Sequence, residues 1–316
     1  MRVGAIFPGQ GSQVVGMGVD VARAYPAAAA CFSAAKTVLG YDLLALCEHG
    51  PEDKLRETRY AQPAIFVTNV ALARAVGDAL TPVASAGHSF GEFCSLTLAG
   101  SLTFESALSL VNRRGLAMHR AASEAQGAMA AVLGLEPQKL RLVVAKTVAQ
   151  GAGRVQLANF NAPGQIVISG DAQAVQAAGE AALAAGAKRV VPLNVAGAWH
   201  SVLMHPAAEE FALHVADATV LPPTFTVVSN VDAQPYTADV ERIKQNLVRS
   251  VTDEVLWHDT ALALVGLGLD LVVEFGASSV LAPMFKRVEG APKAVAVADA
   301  AGVEKLRAML APASVS

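Results

Sequence analysis

Residues 87–91 read GHSFG and carry the strongest chemical signal in the chain. In a nucleophile elbow a serine stands on a sharp turn between a strand and a helix, and glycines two positions away on each side avoid a clash of Cβ atoms. The neighbouring residues fit, since 82–86 predict a short buried strand and 92–98 predict a helix. The pattern therefore predicts Ser89 as a nucleophile, with the first N–H groups of the helix holding an oxyanion. The alternative is a chance match in a chain rich in glycine and alanine.

The N-terminal loop is a second candidate, because a strand over 2–7 runs directly into PGQGSQ at 8–13. A glycine-rich loop after a first strand suggests phosphate binding, but Met17 and Gly18 stand where a P-loop has Lys and Ser or Thr. The chain also lacks the G-x-G-x-x-G motif with a following acidic residue that a dinucleotide-binding fold would need. Gln10 lies between two glycines, and its amide can donate into a pocket at the carboxyl end of the strand. The alternative is a plain surface turn.

His200 is the histidine best placed to act as a base. It lies between a strand-like run over 189–195 and a helix predicted over 203–217. At such a junction it can take the proton of a serine on a neighbouring elbow and later protonate the leaving group. His88 adjoins the serine, but neighbouring side chains on a sharp turn diverge, which leaves it a supporting role. No Asp or Glu between the serine and His200 stands in a recognisable strand-end context, as a simple α/β-hydrolase esterase would need.

These motifs and several others recur in one order along nearly the whole chain, which resembles the malonyl-CoA:acyl carrier protein transacylases of bacterial type II fatty acid synthesis. That family is related to the acyltransferase domains of polyketide synthases. The matching segments are FPGQGSQ at 7–13, QPA at 62–64, GHSFGE at 87–92, RG at 114–115, NFNAPGQ at 159–165, HS at 200–201 with LM at 203–204, and Trp257.

The resemblance implies a catalytic set. Ser89 matches the nucleophile that becomes malonyl-serine, and His200 matches its base. Backbone N–H groups of Gln10 and Phe90 match the oxyanion hole, where one donor contributes about 3 kcal/mol. The carbonyl of Leu256, just before the tryptophan, matches the group that orients the histidine. Many relatives have proline two positions before this residue, where this chain has glutamate. The sequence therefore leaves the conformation of this loop undetermined.

The resemblance also implies a substrate-binding set: Arg114, Gln62, His88, Asn161 and Trp199. Arg114 matches the arginine that binds the free malonyl carboxylate through two parallel hydrogen bonds. Its neighbour Arg113 shares a helix predicted over 103–122, and an arginine at the edge of a buried face is often only snorkelling to solvent. The family's Arg-Gly pair matches residues 114–115, so the resemblance selects Arg114 and not Arg113. Trp199 either lies near the acyl α-carbon, where it would disfavour a branched substituent, or packs beneath the sheet.

The sequence therefore predicts malonyl transfer from malonyl-CoA to the phosphopantetheine thiol of acyl carrier protein through a Ser/His ping-pong reaction, with no cofactor or metal. One alternative is a trans-acting polyketide synthase acyltransferase. Another is an acyl-thioester hydrolase on the same scaffold, in which water resolves the acyl-serine. A non-catalytic docking module is disfavoured by the intact set of Ser89, His200, Gln10 and Arg114.

Strands alternate with helices along most of the chain, which predicts a mainly parallel sheet covered on both faces. Residues 128–195 interrupt that rhythm with a β-α-β-β-α-β order typical of a ferredoxin-like unit. Its predicted elements are strand 129–133, helix 137–148, strands 154–160 and 165–169 around a turn at 161–164, helix 172–185 and strand 188–193. The expected α/β fold has an α/β-hydrolase-like large subdomain with a parallel sheet (1–126 and 198–316) and an inserted ferredoxin-like small subdomain (127–197). The active site is expected in the cleft between them, and residues 312–316 are expected to be a frayed tail.

Composition limits the partners and the compartment. With 316 residues, 53% hydrophobic and 16% charged, the chain can bury a large core. A net charge of -3 argues against nucleic-acid binding. Its cysteines are odd in number and lack a C-x-x-C pair, which favours a reducing compartment. No basic, apolar leader and no uncharged run of bilayer length is present. We therefore expect a cytoplasmic protein, and a monomer, for which the resemblance implies malonyl-CoA and acyl carrier protein as partners.

Overall fold

Two β-sheets of different kinds organise the chain in the computed structural model, which describes residues 1–311. The tail predicted at 312–316 lies outside the described residues. The strands, in chain order, are β1 (Val3–Phe7), β2 (Pro82–Gly87), β3 (Gly127–Leu133), β4 (Val155–Ala162), β5 (Gln165–Asp171), β6 (Arg189–Pro192), β7 (Thr226–Val228), β8 (Leu271–Phe275) and β9 (Lys293–Val297).

The helices cover both faces of the first sheet and one face of the second. In chain order they are α1 (Val19–Ala24), α2 (Pro26–Leu39), α3 (Leu43–His49), α4 (Glu52–Arg56), α5 (Thr58–Val76), α6 (Gly91–Leu98), α7 (Phe104–Glu124), α8 (Pro137–Ala149), α9 (Ala172–Ala184), α10 (His205–Ala216), α11 (Val240–Arg249), α12 (Trp257–Gly266), α13 (Leu281–Phe285) and α14 (Ala300–Leu310). Single 3-10 turns lie at Gly77–Ala79 and Val202–Met204.

The first sheet has five parallel strands in the order β7-β2-β1-β8-β9. Every residue of β1 and β8 is buried, as expected for parallel strands covered on both sides. Alternate residues serve different cores: Phe7 belongs to the core that includes residues of α2, α5, α7 and α10, whereas Ile6 belongs to the one that includes residues of α12 and α13. The predicted parallel sheet is confirmed, and its central strands carry the loops that reach the candidate site.

The second sheet is antiparallel, in the order β4-β5-β3-β6, with α8 and α9 packed on it. This confirms the β-α-β-β-α-β unit. Its elements differ from the predicted ones by one or two residues at most ends. Strand β4 runs to Ala162, which pairs with Gln165, so only two residues form the hairpin turn. The second of them, Gly164, has a positive φ of 66°, and proline followed by a glycine of positive φ is the pattern of a type II turn.

Strand β4 also joins the second sheet to the larger part of the chain. The N–H of Phe160 donates to the carbonyl of Val255 at 2.8 Å, and the N–H of Val255 donates to the carbonyl of Ala158 at 2.8 Å. Nearby, the helix predicted over 203–217 starts two residues late, at His205, because Val202–Met204 forms a 3-10 turn before α10. The segment before α12 therefore runs along the edge of β4, close to His200.

Within residues 1–311 no single helix is both long and apolar enough to cross a bilayer. The consecutive helices α2 and α3 reach that length and hydropathy only together, across a bend of 111°.

Candidate active site

The strand–elbow–helix arrangement is present at Ser89, between β2 and α6. The φ angle of Ser89 is 53°, in the left-handed region that costs a non-glycine residue about 1 kcal/mol or more. Both flanking glycines are required by space. A Cβ on Gly87 would lie 1.9 Å from the carbonyl carbon of Gly91, and a Cβ on Gly91 would lie 2.3 Å from the carbonyl oxygen of Phe7.

The elbow brings Ser89 to His200, as the sequence predicted. Their Oγ and Nε2 atoms are 2.9 Å apart. His200 also has a positive φ, 57°, so both members of the pair are held in strained backbone. His88 turns away: its Nε2 contacts the Oδ1 of Asn161 at 2.9 Å and its ring lies 5.8 Å from that of Trp257. His200, and not His88, therefore lies within hydrogen-bond distance of the Ser89 hydroxyl.

The structure does not support Leu256 as the residue that orients His200. Leu256 precedes the first residue of α12, and its carbonyl accepts the N–H of Thr260 at 2.9 Å and its hydroxyl at 2.8 Å. A residue at that position supplies the first acceptor of the helix, so its carbonyl points along the helix axis. The main-chain oxygens that favour the protonated imidazole are those of Asp253 and Ser250.

Burial keeps His200 neutral. Desolvation, reinforced by the charges of Arg114 and His88, lowers the pKa of His200 to about 3. Its Nδ1 makes no hydrogen bond of ordinary geometry within residues 1–311. Catalytic hydrogen bonds are often long before substrate binds. A neutral imidazole can accept the serine proton, and the nearby carbonyls would stabilise the imidazolium that results.

Arg114 is the buried charge of the site, whereas its neighbour Arg113 is exposed. The guanidinium donates to the Oε1 of Gln62 at 2.9 Å, the carbonyl of Ser250 at 3.1 Å and the Oγ of Ser89 at 3.3 Å. Burial lowers its pKa to about 9. In the part of the chain that the structure describes it forms no ion pair. An unpaired buried cation beside a nucleophile suits an anionic substrate.

A chain of side-chain hydrogen bonds connects this arginine to the N-terminal loop. Gln62 donates through Nε2 to the hydroxyl of Thr58 at 2.9 Å, and Thr58 donates to the Oε1 of Gln10 at 2.8 Å. Gln62 therefore orients the guanidinium, and Gln10 is fixed over the elbow. Thr58 was missed by sequence reasoning, because a threonine at the start of a helix gives no chemical signal of its own.

Two N–H groups beside the serine are free to hold an oxyanion. Neither the N–H of Gln10 nor that of Phe90 donates to a protein acceptor within residues 1–311. The loop that carries Gln10 lies against the elbow, since a Cβ on Gly9 would be 3.6 Å from the Cβ of Ser89. Gln10, Ser89 and Phe90 also line one cavity, as the donors of an oxyanion hole must.

The site opens into a cavity of about 620 Å³ between the two sheets. One wall comes from the large part of the chain and includes Ser89, Arg114 and His200, while the opposite wall includes Asn161 from β4. Trp199 lines the same cavity, and its ring packs over Gly197. All five residues of the predicted substrate-binding set line this cavity: Gln62, His88, Arg114, Asn161 and Trp199.

Behind the elbow lies a buried carboxylate that sequence reasoning did not assign. Glu92 accepts the N–H of Asn230 at 2.7 Å, its Nδ2 at 2.6 Å and the hydroxyl of Tyr236. The same Nδ2 lies 3.3 Å from the carbonyl of Ser89. The available signal was a glutamate in the first turn of a helix whose following residues are apolar.

A serine and a neutral histidine in hydrogen-bond contact, beside free N–H donors, form the arrangement that enzymes use for acyl transfer through a serine ester. The comparisons agree. Residues 5–306 match the acyl transferase domain family. The chain is 41% identical over 287 residues to the malonyl CoA-acyl carrier protein transacylase of Escherichia coli K12, covering 90% of this chain and 91% of that protein.

Solved structures give the same result. An acyl carrier protein S-malonyltransferase from Vibrio cholerae matches with a TM-score of 0.92 and 38% identity, covering 97% of this chain and 100% of that one. A malonyl transacylase solved with its type II polyketide acyl carrier protein matches with a TM-score of 0.92 and 38% identity, covering 98% and 100%. The chain belongs to the acyl transferase domain family, as a member of its malonyl-CoA:acyl carrier protein transacylases.

Proposed function

We infer that this protein transfers the malonyl group of malonyl-CoA to the phosphopantetheine thiol of an acyl carrier protein, through a malonyl-serine on Ser89. The observation that carries this inference is Arg114, a buried cation 3.3 Å from the Ser89 hydroxyl and without an ion-pair partner in the described residues. A malonyl carboxylate would supply the missing anion and place its thioester at the nucleophile.

In the first half-reaction His200 Nε2 takes the proton of the Ser89 hydroxyl as Oγ attacks the thioester carbonyl. The oxyanion that forms is held by the N–H groups of Gln10 and Phe90. When it collapses, the carbon–sulfur bond breaks and the imidazolium returns the proton to the sulfur of coenzyme A. The product is the malonyl ester of Ser89.

The second half-reaction runs the same steps with the carrier thiol as nucleophile. His200 takes the thiol proton, sulfur attacks the ester carbonyl, and the bond to Ser89 Oγ breaks with return of the proton to the serine. The malonyl carboxylate stays on Arg114 throughout. Its negative charge offsets the arginine charge that disfavours protonation of His200, so the acid that binds also helps the base to work.

The remaining residues of the cavity are assigned to substrate fit. Gln62 orients the guanidinium through its 2.9 Å bond to Arg114. His88 beside the elbow and Asn161 on β4 fix each other through their contact at 2.9 Å. Trp199 borders the acyl position and would disfavour a branched α-carbon. The serine, the imidazole and the guanidinium are the groups required by the steps above, so we propose that transfer needs no added cofactor.

A hydrolase on the same scaffold would form the same acyl-serine and release it to water. Malonyl-CoA incubated with holo acyl carrier protein distinguishes the two. We expect malonyl-carrier protein as the main product and little free malonate, both followed by mass spectrometry. Free malonate at equal rates with and without carrier would support the hydrolase instead.

The covalent intermediate is tested without a carrier. Malonyl-CoA should add one malonyl group to the intact protein, and Ser89→Ala should carry none, because the ester oxygen is missing. The control is the same incubation with the Ser123→Ala variant, which removes an exposed serine hydroxyl bonded only to the carbonyl of His119. A normal adduct on Ser89→Ala would refute the assigned nucleophile.

We further propose that the catalytic subdomain comprises residues 1–126 and 198–316, that 127–197 form the smaller one, and that the protein acts as a cytoplasmic monomer. Three free cysteines, Cys31, Cys47 and Cys94, are consistent with a reducing compartment. A net charge of -3 favours neither nucleic acid nor an anionic membrane as partner.

A further inference from the structure

Gln156 makes three hydrogen bonds from the second sheet to main-chain groups around the catalytic histidine. It lies on β4 and is half-buried. Its Nε2 donates to the carbonyl of His200 and to the carbonyl of Thr252, each at 3.3 Å. Its Oε1 accepts the N–H of Val202 at 3.0 Å. One amide therefore connects both chain segments that determine where the imidazole stands.

The segment around His200 and the segment around Thr252 both have to be held in place for the imidazole to stay beside Ser89. His200 is held at a φ of 57°, a conformation that a non-glycine residue keeps only when its surroundings fix it. Thr252 belongs to the segment 250–253, whose Ser250 and Asp253 carbonyls favour the protonated imidazole. Thr252 and His200 have no direct hydrogen bond to each other within the described residues, so Gln156 is the side chain that couples them.

We propose that Gln156 is a positioning residue for His200, fixing the strained backbone of the base and the adjacent 250–253 segment relative to each other from the second sheet. The inference rests on the proposed function, because it assigns Gln156 a part in the Ser89–His200 reaction. Other contacts between the same elements, such as the main-chain bonds of Phe160 with Val255, hold the segment to β4 but do not touch His200.

Two substitutions separate the donor role from the acceptor role. Gln156→Met keeps the length of the side chain and removes all three hydrogen bonds, and a neighbouring cavity of about 350 Å³ gives it room. Gln156→Glu keeps an acceptor for the N–H of Val202 but places a carboxylate against two carbonyls. The matched control is Gln165→Met, on the same sheet, whose Oε1 accepts a bond from Arg287 at 2.9 Å, far from the base.

The experiment measures kcat and KM for malonyl-CoA, the rate of Ser89 malonylation by intact mass, and the melting temperature of each variant. Displacement of a catalytic group by about 1 Å costs on the order of 100-fold in rate. We expect Gln156→Met and Gln156→Glu to lower kcat by about 10- to 100-fold, with KM changed by less than about threefold. The control should keep both constants of the parent.

The pattern of outcomes decides the proposal. It is overturned if the Gln156→Met and Gln156→Glu variants malonylate Ser89 at the parental rate, or if kcat falls only in proportion to the fraction unfolded. Full activity in Gln156→Glu with loss in Gln156→Met would also overturn it, because only the bond to Val202 would then matter. Failure of the proposed function looks different: the parent itself would not form a malonyl-serine.

Discussion

At the scale of single residues, the buried surroundings of Ser89 determine which of its two neighbours, Arg114 and His200, is charged. Arg114 and His200 both contact the Ser89 hydroxyl, and Arg114 also donates to the carbonyl of Ser250. Burial disfavours charge on both side chains, but the pKa of Arg114 falls only to about 9, whereas that of His200 falls to about 3. At neutral pH the arginine is therefore charged and the histidine is a free base.

The pH dependence of acylation follows from this. A lowered pKa moves protonation of the base to lower pH, so kcat/KM for malonyl-CoA should stay flat from about pH 8 down to about pH 5. His200→Ala should lower the rate by about 100- to 10,000-fold, and His88→Ala by much less. Malonyl transfer measured in constant-ionic-strength buffers checks both. An acid limb centred near 6.5 would mean that water reaches the imidazole.

Selectivity depends on Arg114. Arg114→Ala should lose malonyl loading yet accept acetyl-CoA as well as the parent or better, because a neutral acyl group no longer leaves a buried cation unpaired. Arg114→Lys should recover part of the loss, since it lacks the planar fork. The measurement is the ratio of malonyl to acetyl adduct at matched concentrations. Arg113→Ala is the control, and an unchanged ratio in Arg114→Ala would assign the carboxylate to another group.

At the scale of elements, the elbow is stabilised from behind. Helix α6 carries Glu92, which accepts hydrogen bonds from Asn230 and Tyr236, on the chain that follows β7. Burial raises the pKa of Glu92 to about 7, although those donors favour the ionised form. The network thus fixes the start of α6 to the neighbouring loop, while the pKa of the Glu92 carboxyl group lies close to neutral pH.

This raised pKa predicts a pH-dependent stability. Between the ordinary value of 4.5 and about 7 the folded state binds more protons at Glu92 than the unfolded state, so stability falls as pH rises through that window. The full effect is about 3 kcal/mol. Glu92→Gln cannot ionise. Urea unfolding should therefore show that the free energy of unfolding of the variant, relative to that of the parent, is higher at pH 8 than at pH 5. An equal difference at both pH values would contradict the assignment.

At the scale of the whole molecule, the site exists only where the two sheets meet. The cavity takes one wall from each, and β4 is bonded to the segment that precedes α12. Glu254 accepts two hydrogen bonds from Arg141 of α8, of 2.7 and 2.8 Å. This salt bridge is a further link between the segment before α12 and the elements of the second sheet.

The strength of that salt bridge can be measured by a double-mutant cycle of Arg141→Ala and Glu254→Ala. The side chains are 51% and 27% exposed, so we expect a coupling of about 0.5 to 1 kcal/mol in urea unfolding. It should shrink in 0.5 M salt, because screening weakens partly exposed charges (at this order of ionic strength the Debye length is only about 4 Å). Coupling that is absent at low salt would mean that other contacts alone hold the loop.

Sequence and structure contributed differently to the candidate site. The elbow could be read from five residues because a strained turn leaves few choices beside Ser89: a Cβ at Gly87 or Gly91 would overlap backbone. His200 could be preferred to His88 from its position at a strand-to-helix junction, whereas Arg114 needed a family motif, since Arg113 lies on the same predicted helix. The second sheet was predictable because its hydrophobic periodicity and its turn chemistry are local properties.

By itself the sequence determined the elbow, the order of strands and helices, and the residue types available for acyl transfer, because each depends on neighbours along the chain. Only the tertiary structure decided that Ser250 and Asp253, not Leu256, face the imidazole, that Thr58 links Gln10 to Gln62, and that Gln156 reaches His200. These contacts join residues far apart in sequence, and those around His200 involve main-chain carbonyl groups, which every residue type supplies. Their directions follow from how the two sheets pack, which no local pattern records.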